Sequence, residues 1–256
     1  GMEAGTLSRV MREDLATLAE AEGTIPVVGI TGTGGAGKSS LTDEFVRRFR
    51  TDQPDMKIAI LAVDPSRRKS GGALLGDRIR MNAIDKFAGH GSVFLRSLAT
   101  RGSGSELAAC LPGAITACKA AGYDLVLIET SGIGQGDAAI VPFVDVVIYA
   151  MTPEYGAASQ LEKIDMLDFA DLVAINKFDR RGAKDAFRDV RKQYQRNHEL
   201  FVTPVEEMPV FGTIASKFND DGVTALYHNI LLLLADRGLA RWVSALPENP
   251  SRTSSR

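Results

Sequence analysis

The sequence predicts an α/β fold in which a mostly parallel β-sheet carries helices on both faces. Seven short apolar segments alternate along the chain with longer segments of helical spacing. The apolar segments are nearly continuous, which is typical of parallel strands buried on both faces. With 256 residues, the chain suits one large domain better than two. Ligands of such sheets bind beyond the carboxyl ends of the strands.

The predicted elements follow one another in a regular order. The first strand is the apolar run 25–31, and the helix after it carries Leu41, Phe45 and Phe49 four residues apart on one face. Further apolar runs predict strands at 57–63, 92–96, 124–129, 144–150, 171–175 and 209–214. Helices are expected near 40–50, 77–88, 104–121, 157–168, 182–197 and 223–237.

We expect the chain to divide into three parts. Residues 1–24 form an N-terminal helical arm, residues 25–237 the α/β domain, and residues 238–256 a tail that is partly disordered because its end is polar. One face of the arm carries the apolar residues Leu7, Val10, Met11, Leu15 and Leu18.

A phosphate-binding motif lies between the first strand and the helix that follows it. Residues 32–39 match the P-loop pattern G-x-x-x-x-G-K-[ST], in which backbone N–H groups and a helix N-terminus face phosphate oxygens. Lys38 can reach the β- and γ-phosphates, and the Ser39 hydroxyl can bind Mg²⁺. The motif predicts a P-loop NTPase. The candidate phosphate-binding residues are Gly34, Gly35, Ala36, Gly37, Lys38, Ser39 and Ser40.

A second motif predicts that the nucleotide is GTP. Residues 176–179 read N-K-x-D directly after a predicted strand. The Asp179 carboxylate would accept hydrogen bonds from guanine N1–H and the exocyclic amine, while Asn176 completes the motif and Lys177 packs along the ring. Adenine has no N1–H, so it would leave the carboxylate unpaired. The segment 212–217 is expected to supply a backbone amide to guanine O6, with Ser216 and Lys217 as candidate contacts.

Acidic residues at strand ends predict a magnesium site. Asp64 ends the second strand, Asp77 follows it, and Glu129 ends the fourth strand. Mg²⁺ prefers oxygen ligands, so these carboxylates join Ser39 as candidates. Gly132 could donate its N–H to the γ-phosphate, and Gln135 is a candidate to orient the attacking water. Asp64 precedes a proline, so shaping a turn is its alternative role.

The composition argues against several other classes of protein. Lys and Arg number 30 against 32 Asp and Glu, a net charge of −2, so nucleic acid is not an expected partner. The two cysteines form no disulfide framework, which suits a cytoplasmic protein. No apolar run approaches the length needed to span a bilayer, so we expect no membrane partner.

Taken in order, these motifs resemble a known family. The segments 64–66, 71–81, 129–135 and 176–179 look like those of the GTPase chaperones of adenosylcobalamin-dependent acyl-CoA mutases, long labelled arginine/ornithine transport ATPases. The segments 94–102, 129–137 and 151–163 are most similar to the GTPase domain inside fused isobutyryl-CoA mutase. The resemblance covers roughly residues 25–237, the predicted P-loop GTPase domain.

The resemblance implies both an activity and partners. Such proteins use GTP binding and hydrolysis to gate cobalamin loading into an isobutyryl-CoA or methylmalonyl-CoA mutase and to protect the loaded enzyme. It implies Mg²⁺ and GTP or GDP as ligands, with adenosylcobalamin held only by the partner. The implied catalytic residues are Lys38, Glu129, Gln135 and Arg78. Arg78 would act as an arginine supplied in cis, and a surface salt bridge is its alternative role.

Departures from the family pattern limit the expected activity. The chain lacks a D-x-H-x-x-G cobalamin motif, and a barrel for an acyl-CoA would need about 250 more residues. Stand-alone family members dimerise through longer helical arms, whereas the arm here is short. A homodimer is kept as an alternative for this chain. We therefore expect an excised or naturally separate GTPase domain without mutase activity of its own.

Three alternatives remain. The first is a GTP-dependent scaffold without significant turnover. The second is a nickel-delivery GTPase, which would need a segment rich in His or Cys that the sequence lacks. The third is an ATP-dependent transporter subunit or kinase, against which the N-K-x-D motif argues.

Overall fold

The fold was analysed in a computed structural model, which describes residues 7–64, 92–99, 110–132, 137–248 and 251–254. Within these ranges seven strands form one sheet, and every neighbouring pair of strands is parallel. The strand order is β3-β2-β4-β1-β5-β6-β7. All seven predicted strands are confirmed. They are β1 Val27–Gly32, β2 Ile58–Asp64, β3 Val93–Ala99, β4 Leu125–Glu129, β5 Val146–Met151, β6 Leu172–Asn176 and β7 Val210–Thr213.

Helices connect the strands and cover both faces of the sheet. The described helices are α1 Arg9–Ala21, α2 Lys38–Asp52, α3 Leu111–Ala120, α4 Ala158–Leu161, α5 Ala183–Asn197 and α6 Asp221–Asp236. The prediction of one helix over 157–168 is wrong. Helix α4 ends at Leu161, and a separate 3-10 turn spans Asp165–Asp168. Ile164 precedes this turn and has φ −101° and ψ 83°, which are not helical values. The turn buries Met166 and Leu167. The expected helix near 77–88 lies outside the described residues.

Alternate side chains of each strand feed cores on opposite faces of the sheet. In β5, Val146 and Ile148 belong to the core beneath α2 and α6, whereas Val147 and Tyr149 belong to the core beneath α5. Residues of β1, β2 and β4 that face the same way as Val147 form a third core with α3. Because both faces are covered, strands β1, β4, β5, β6 and β7 are buried along their length, whereas the outer strand β3 also has exposed and half-buried positions. This arrangement confirms helices on both faces of a parallel sheet.

The N-terminal arm forms a helix that lies against α3. Ser8 caps α1, because its side chain accepts a hydrogen bond from the Met11 N–H at 3.2 Å. Of the predicted apolar face, Leu15 is half-buried, whereas Val10, Met11 and Leu18 are exposed. The homodimer and the domain boundaries at residues 25 and 238 stay predictions. None of the helices in the described ranges combines the length and the apolar character needed to cross a bilayer.

An aromatic cluster joins α2, α6 and the segment after α6. Phe49 is fully buried, and its ring meets the rings of Tyr227 and Trp242 edge to face at 4.9 and 5.7 Å. The Tyr227 hydroxyl donates to Asp52 at 2.8 Å, and burial raises the pKa of Tyr227 above its ordinary value. Leu239 and Leu246 pack against the same core. The segment 239–246 thus covers the end of α2.

We expect Phe49→Ala to lower the free energy of unfolding by about 3–5 kcal/mol, because it removes the centre of this cluster and leaves a cavity. Urea unfolding followed by circular dichroism measures the change. Leu232→Ala is the control, since Leu232 is 60% exposed on α6 and should change stability by less than about 0.5 kcal/mol. Equal losses for the two variants would contradict the cluster's role.

Candidate nucleotide-binding site

The P-loop leaves β1 at the carboxyl edge of the sheet and enters α2. Gly35 and Gly37 have φ values of 74° and 85°, a left-handed conformation that glycine adopts without steric cost. Gly37 also lies against the side chain of Asn176, because a Cβ added at Gly37 would sit 2.4 Å from the Asn176 Nδ2. Gly34 and Gly35 are exposed, Ala36 is buried, and Ser40 is half-buried in the first turn of α2. The loop therefore presents its backbone to solvent at the helix N-terminus, where phosphate groups bind.

Lys38 places its ammonium group across the loop. The side chain is buried, and its Nζ donates to the carbonyls of Gly32 at 2.9 Å and Thr33 at 3.1 Å. Gly132, in the segment after β4, approaches the same atom, because a Cβ there would lie 2.2 Å from Nζ. The predicted phosphate-binding lysine and the predicted γ-phosphate donor are thus neighbours.

Ser39 and Glu129 meet where α2 begins and β4 ends. The Ser39 hydroxyl donates to Glu129 Oε1 at 2.5 Å, and Thr42 donates to Oε2 at 3.3 Å. Sequence reasoning missed Thr42, which lies one helical turn after Lys38 and faces the same side of α2. A hydroxyl and a carboxylate are hard oxygen donors, so the pair fits the ligand chemistry of Mg²⁺.

The other predicted metal and catalytic residues are only partly described. Asp64 ends β2, and its strand pairs with β4 so that Ala62 lies opposite Glu129. The backbone of Asp64 is therefore at the same edge of the sheet as Glu129, but its side chain is not described. Asp77, Arg78 and Gln135 lie outside the described residues. Within the described ranges, no group of three or more His, Cys, Asp or Glu side chains could hold a metal ion.

Asn176 connects three segments of the site. Its Nδ2 donates to the Ala36 carbonyl of the P-loop at 2.7 Å. Its Oδ1 accepts from the Thr213 hydroxyl at 3.2 Å and from the Ala215 N–H at 3.0 Å. The side chain is buried, so each of these bonds satisfies a group that water does not reach. The phosphate loop and the segment after β7 are thus held to the same amide group.

Lys177 and Asp179 follow β6 at the same edge of the sheet. Lys177 has φ 58°, which is uncommon for a residue with a side chain, and its Nζ donates to the Gly35 carbonyl at 2.7 Å. The stem of Lys177 therefore crosses toward the P-loop. Asp179 is exposed, so its carboxylate is open to solvent. Between them, the Phe178 N–H donates to the Thr213 carbonyl at 3.0 Å.

The segment after β7 is joined to the N-K-x-D motif by Thr213 and Ala215. Ser216 and Lys217 are exposed, and their contact with guanine stays a prediction. Asp220, which is fully buried, accepts a hydrogen bond from the Ile214 N–H at 3.1 Å. Asp220 also caps α6 through the Val223 N–H at 3.0 Å. An acidic residue three positions before an apolar helical run is a sequence signal for such a cap.

A cavity of about 360 Å³ opens beside the phosphate side of the site. Gly34 and Gly132 form one wall, and side chains of the segment after β5 form the other, among them Tyr155, Lys163 and Asp165. This segment contacts the residue that follows the N-K-x-D motif, because Arg180 donates to Glu154 at 2.6 Å. Hydrogen bonds from Thr152, the backbone N–H and Arg180 lower the pKa of Glu154 to about 2.

Comparison with known proteins finds a matching family and similar relatives. The family model described as methylmalonyl-CoA mutase-associated GTPase MeaB matches residues 5–233. The fused isobutyryl-CoA mutase of Cupriavidus metallidurans is 66% identical over 231 residues, which cover 90% of this chain and 21% of that protein. This chain therefore spans about a fifth of the length of that relative.

Two solved structures share the architecture. A structure titled LAO/AO transport system kinase has a TM-score of 0.57 at 23% identity, covering 94% of this chain and 75% of that one. HypB from Helicobacter pylori in complex with nickel has a TM-score of 0.57 at 17% identity, covering 93% of this chain and 98% of that one. At these identities the two likenesses show the fold alone, and that fold agrees with the predicted α/β architecture.

Gly37→Ala tests the close approach between the P-loop and Asn176. We expect it to weaken GDP binding by at least about ten-fold, because the new methyl group must displace the Asn176 amide. Gly238→Ala is the matched control, since Gly238 has φ 68° but nothing within 4 Å of an added Cβ. Both variants carry left-handed strain of about 1–2 kcal/mol, which urea unfolding measures. If calorimetry gave Gly37→Ala and Gly238→Ala equal affinities for GDP, the contact with Asn176 would not be needed to hold the P-loop.

Proposed function

The chain belongs to the family of methylmalonyl-CoA mutase-associated GTPases called MeaB, and on this premise we propose that it controls cobalamin loading and protection of an acyl-CoA mutase. The family match confirms the resemblance inferred from the motifs, and a member of this family is a GTPase. GTP binding is supported by the joining of a complete P-loop to an N-K-x-D motif through the buried amide of Asn176, and the mutase link by the family match.

The proposed reaction is in-line attack of water on the γ-phosphorus of GTP. Lys38 and the N–H groups of the P-loop stabilise the negative charge that develops on the phosphate oxygens. Bound Mg²⁺ would add further charge neutralisation, and Ser39 and Glu129, with Asp64 and Asp77, are the residues that would hold it. Gln135 orients the water, and Arg78 supplies a further positive charge in cis. Catalysis on this chain is therefore mainly positioning and electrostatics.

Base selection is assigned to the opposite end of the site. Asp179 accepts hydrogen bonds from the guanine edge, while the stem of Lys177 packs along the ring. The backbone after Thr213 faces guanine O6, and Ser216 and Lys217 border the base. A carboxylate matched to two donors can reject the wrong base by a factor on the order of 10⁴. The contact between Lys177 and Gly35 supports this assignment, because it brings the stem across the P-loop.

The proposed partner is an adenosylcobalamin-dependent acyl-CoA mutase of the isobutyryl-CoA or methylmalonyl-CoA type. The support is the name of the family and the fusion seen in the Cupriavidus metallidurans relative. Adenosylcobalamin would be held by the mutase. GTP hydrolysis on this chain would then time the transfer of the cofactor and the release of the loaded enzyme.

A GTP-dependent scaffold without turnover is the remaining competing function for this chain. A nickel-delivery role has only a fold likeness in its favour, at 17% identity. Turnover measurements separate the scaffold from the GTPase, because the two bind the same nucleotide and differ only in hydrolysis.

We expect this chain to hydrolyse GTP slowly and ATP undetectably in the presence of Mg²⁺. A rate between about 10⁻⁴ and 10⁻² per second is typical of GTPases that await a partner. An added acyl-CoA mutase should raise the rate for GTP. Phosphate release with each nucleotide, with and without the mutase, measures this. Tight GTP binding without turnover in either condition would establish the scaffold instead.

Asp179→Asn is expected to shift preference from GTP toward xanthosine triphosphate, because the new amide donates where xanthine presents an oxygen. The affinity for GTP should fall at least about 100-fold. Asp185→Asn is the matched control, since its exposed carboxylate lies in the first turn of α5 and pairs with Arg188. Fluorescent-nucleotide titrations compare the two variants. An unaltered preference in Asp179→Asn would exclude Asp179 from base reading.

A further inference from the structure

A short segment near the C-terminus lies beside β7, the last strand of the sheet. The Gly212 N–H donates to the Arg252 carbonyl at 2.9 Å, and the Ser254 N–H donates to the Gly212 carbonyl at 2.9 Å. Thr253 forms a parallel bridge with Gly212. We call residues 251–254 the C-terminal strap. Its backbone thus extends the sheet by one short pairing.

Side chains fix both ends of the C-terminal strap. The Arg252 guanidinium donates to the carbonyls of Glu207 at 2.7 Å and Met208 at 2.5 Å, in the turn that precedes β7. It also lies 5.5 Å from the centre of the Phe211 ring. At the other end, the Ser254 hydroxyl lies 2.8 Å from Asp220 Oδ2 and 3.0 Å from the Gly212 carbonyl. The strap is therefore placed by specific polar contacts.

Asp220 connects the C-terminal strap to the base-reading part of the site. Its Oδ2 accepts from three donors, which are the Ile214 N–H, the Val223 N–H and the Ser254 hydroxyl. Its Oδ1 is buried and has no hydrogen-bond partner among the described residues. All hydrogen bonding of this buried carboxylate is thus concentrated on one oxygen. Loss of the Ser254 hydroxyl would remove one third of those donors.

Ile214 lies directly between the two residues that contact Asn176. Thr213 precedes it and Ala215 follows it, and both donate to Asn176 Oδ1. Gly212, which pairs with the strap, also supports the N-K-x-D motif, because a Cβ there would lie 2.6 Å from the Phe178 ring. The strap therefore touches two groups, Asp220 and Gly212, that adjoin the base-reading segments.

We propose that Ser254 and Asp220 are positioning residues of the guanine site. The C-terminal strap holds Ile214 and its neighbours in the conformation that faces guanine O6, so that displacement of the strap loosens the bound nucleotide. The inference rests on the proposed function, in that it assumes guanine binding beside residues 213–217. It adds that part of the support of the base site comes from Ser254, 42 residues beyond Gly212 in the chain.

The test compares Ser254→Ala with Ser244→Ala in the full chain. Ser244 lies in the same C-terminal region and makes two hydrogen bonds, with His228 and the Leu246 N–H, but it does not contact Asp220 or Gly212. Ser254→Ala should release a fluorescent GDP analogue roughly three- to ten-fold faster than the unmodified chain, as expected for one weakened support. Its KM for GTP should rise, whereas its kcat should stay within about two-fold of that of the unmodified chain, because the phosphate side of the site is untouched.

Two further variants test the direction of the effect. Ser254→Thr keeps the hydroxyl and should restore slow GDP release, whereas Arg252→Ala frees the other end of the strap and should accelerate it. Unchanged release in both Ser254→Ala and Arg252→Ala, or equal acceleration in Ser244→Ala, would overturn the proposal. GDP binding by the unmodified chain decides the proposed function separately. Without such binding, the proposed function and this inference fall together.

Discussion

The nucleotide site depends on the buried amide of Asn176. This side chain forms a hydrogen bond with Ala36 in the P-loop and two more with Thr213 and Ala215 in the segment after β7. These partners lie 140, 37 and 39 residues away in the chain, so the amide links segments that only the folded sheet brings together. Because the group is buried, losing any of the three bonds would leave a polar atom without water to replace its partner.

The sheet explains why these segments meet. The P-loop strand β1 lies between β4 and β5, so the carboxyl ends of the strands that carry Glu129 and the segment after β5 flank the phosphate side. Strands β6 and β7 follow on the same side as β5 and lead into the N-K-x-D motif and the segment 213–217. The order of the strands therefore sets the order of the motifs along the edge, with Glu129 at the end of β4, the P-loop after β1, the N-K-x-D motif at the end of β6 and the segment 213–217 at the end of β7.

The strands and the sequence-local motifs could be predicted, whereas the contacts that join them could not. Continuous apolar runs identified all seven strands because both faces of the sheet are buried, and the P-loop and N-K-x-D patterns are short enough to be read directly. Thr42 was missed because its partner Glu129 is 87 residues away, and the contact of Asp220 with Ser254, 34 residues away, was missed for the same reason. The backbone pairing of the strap with Gly212 could not be predicted, because composition near the C-terminus does not reveal a partner 42 residues away.

The pairing of the C-terminal strap with Gly212 also bears on self-association. An outer strand of a sheet exposes unpaired N–H and C=O groups, which can recruit a strand from another molecule. At Gly212 the backbone N–H and carbonyl of β7 are already occupied by Arg252 and Ser254. The same four residues therefore act as an internal blocker of strand addition, and a chain that loses them would present β7 as a template for aggregation.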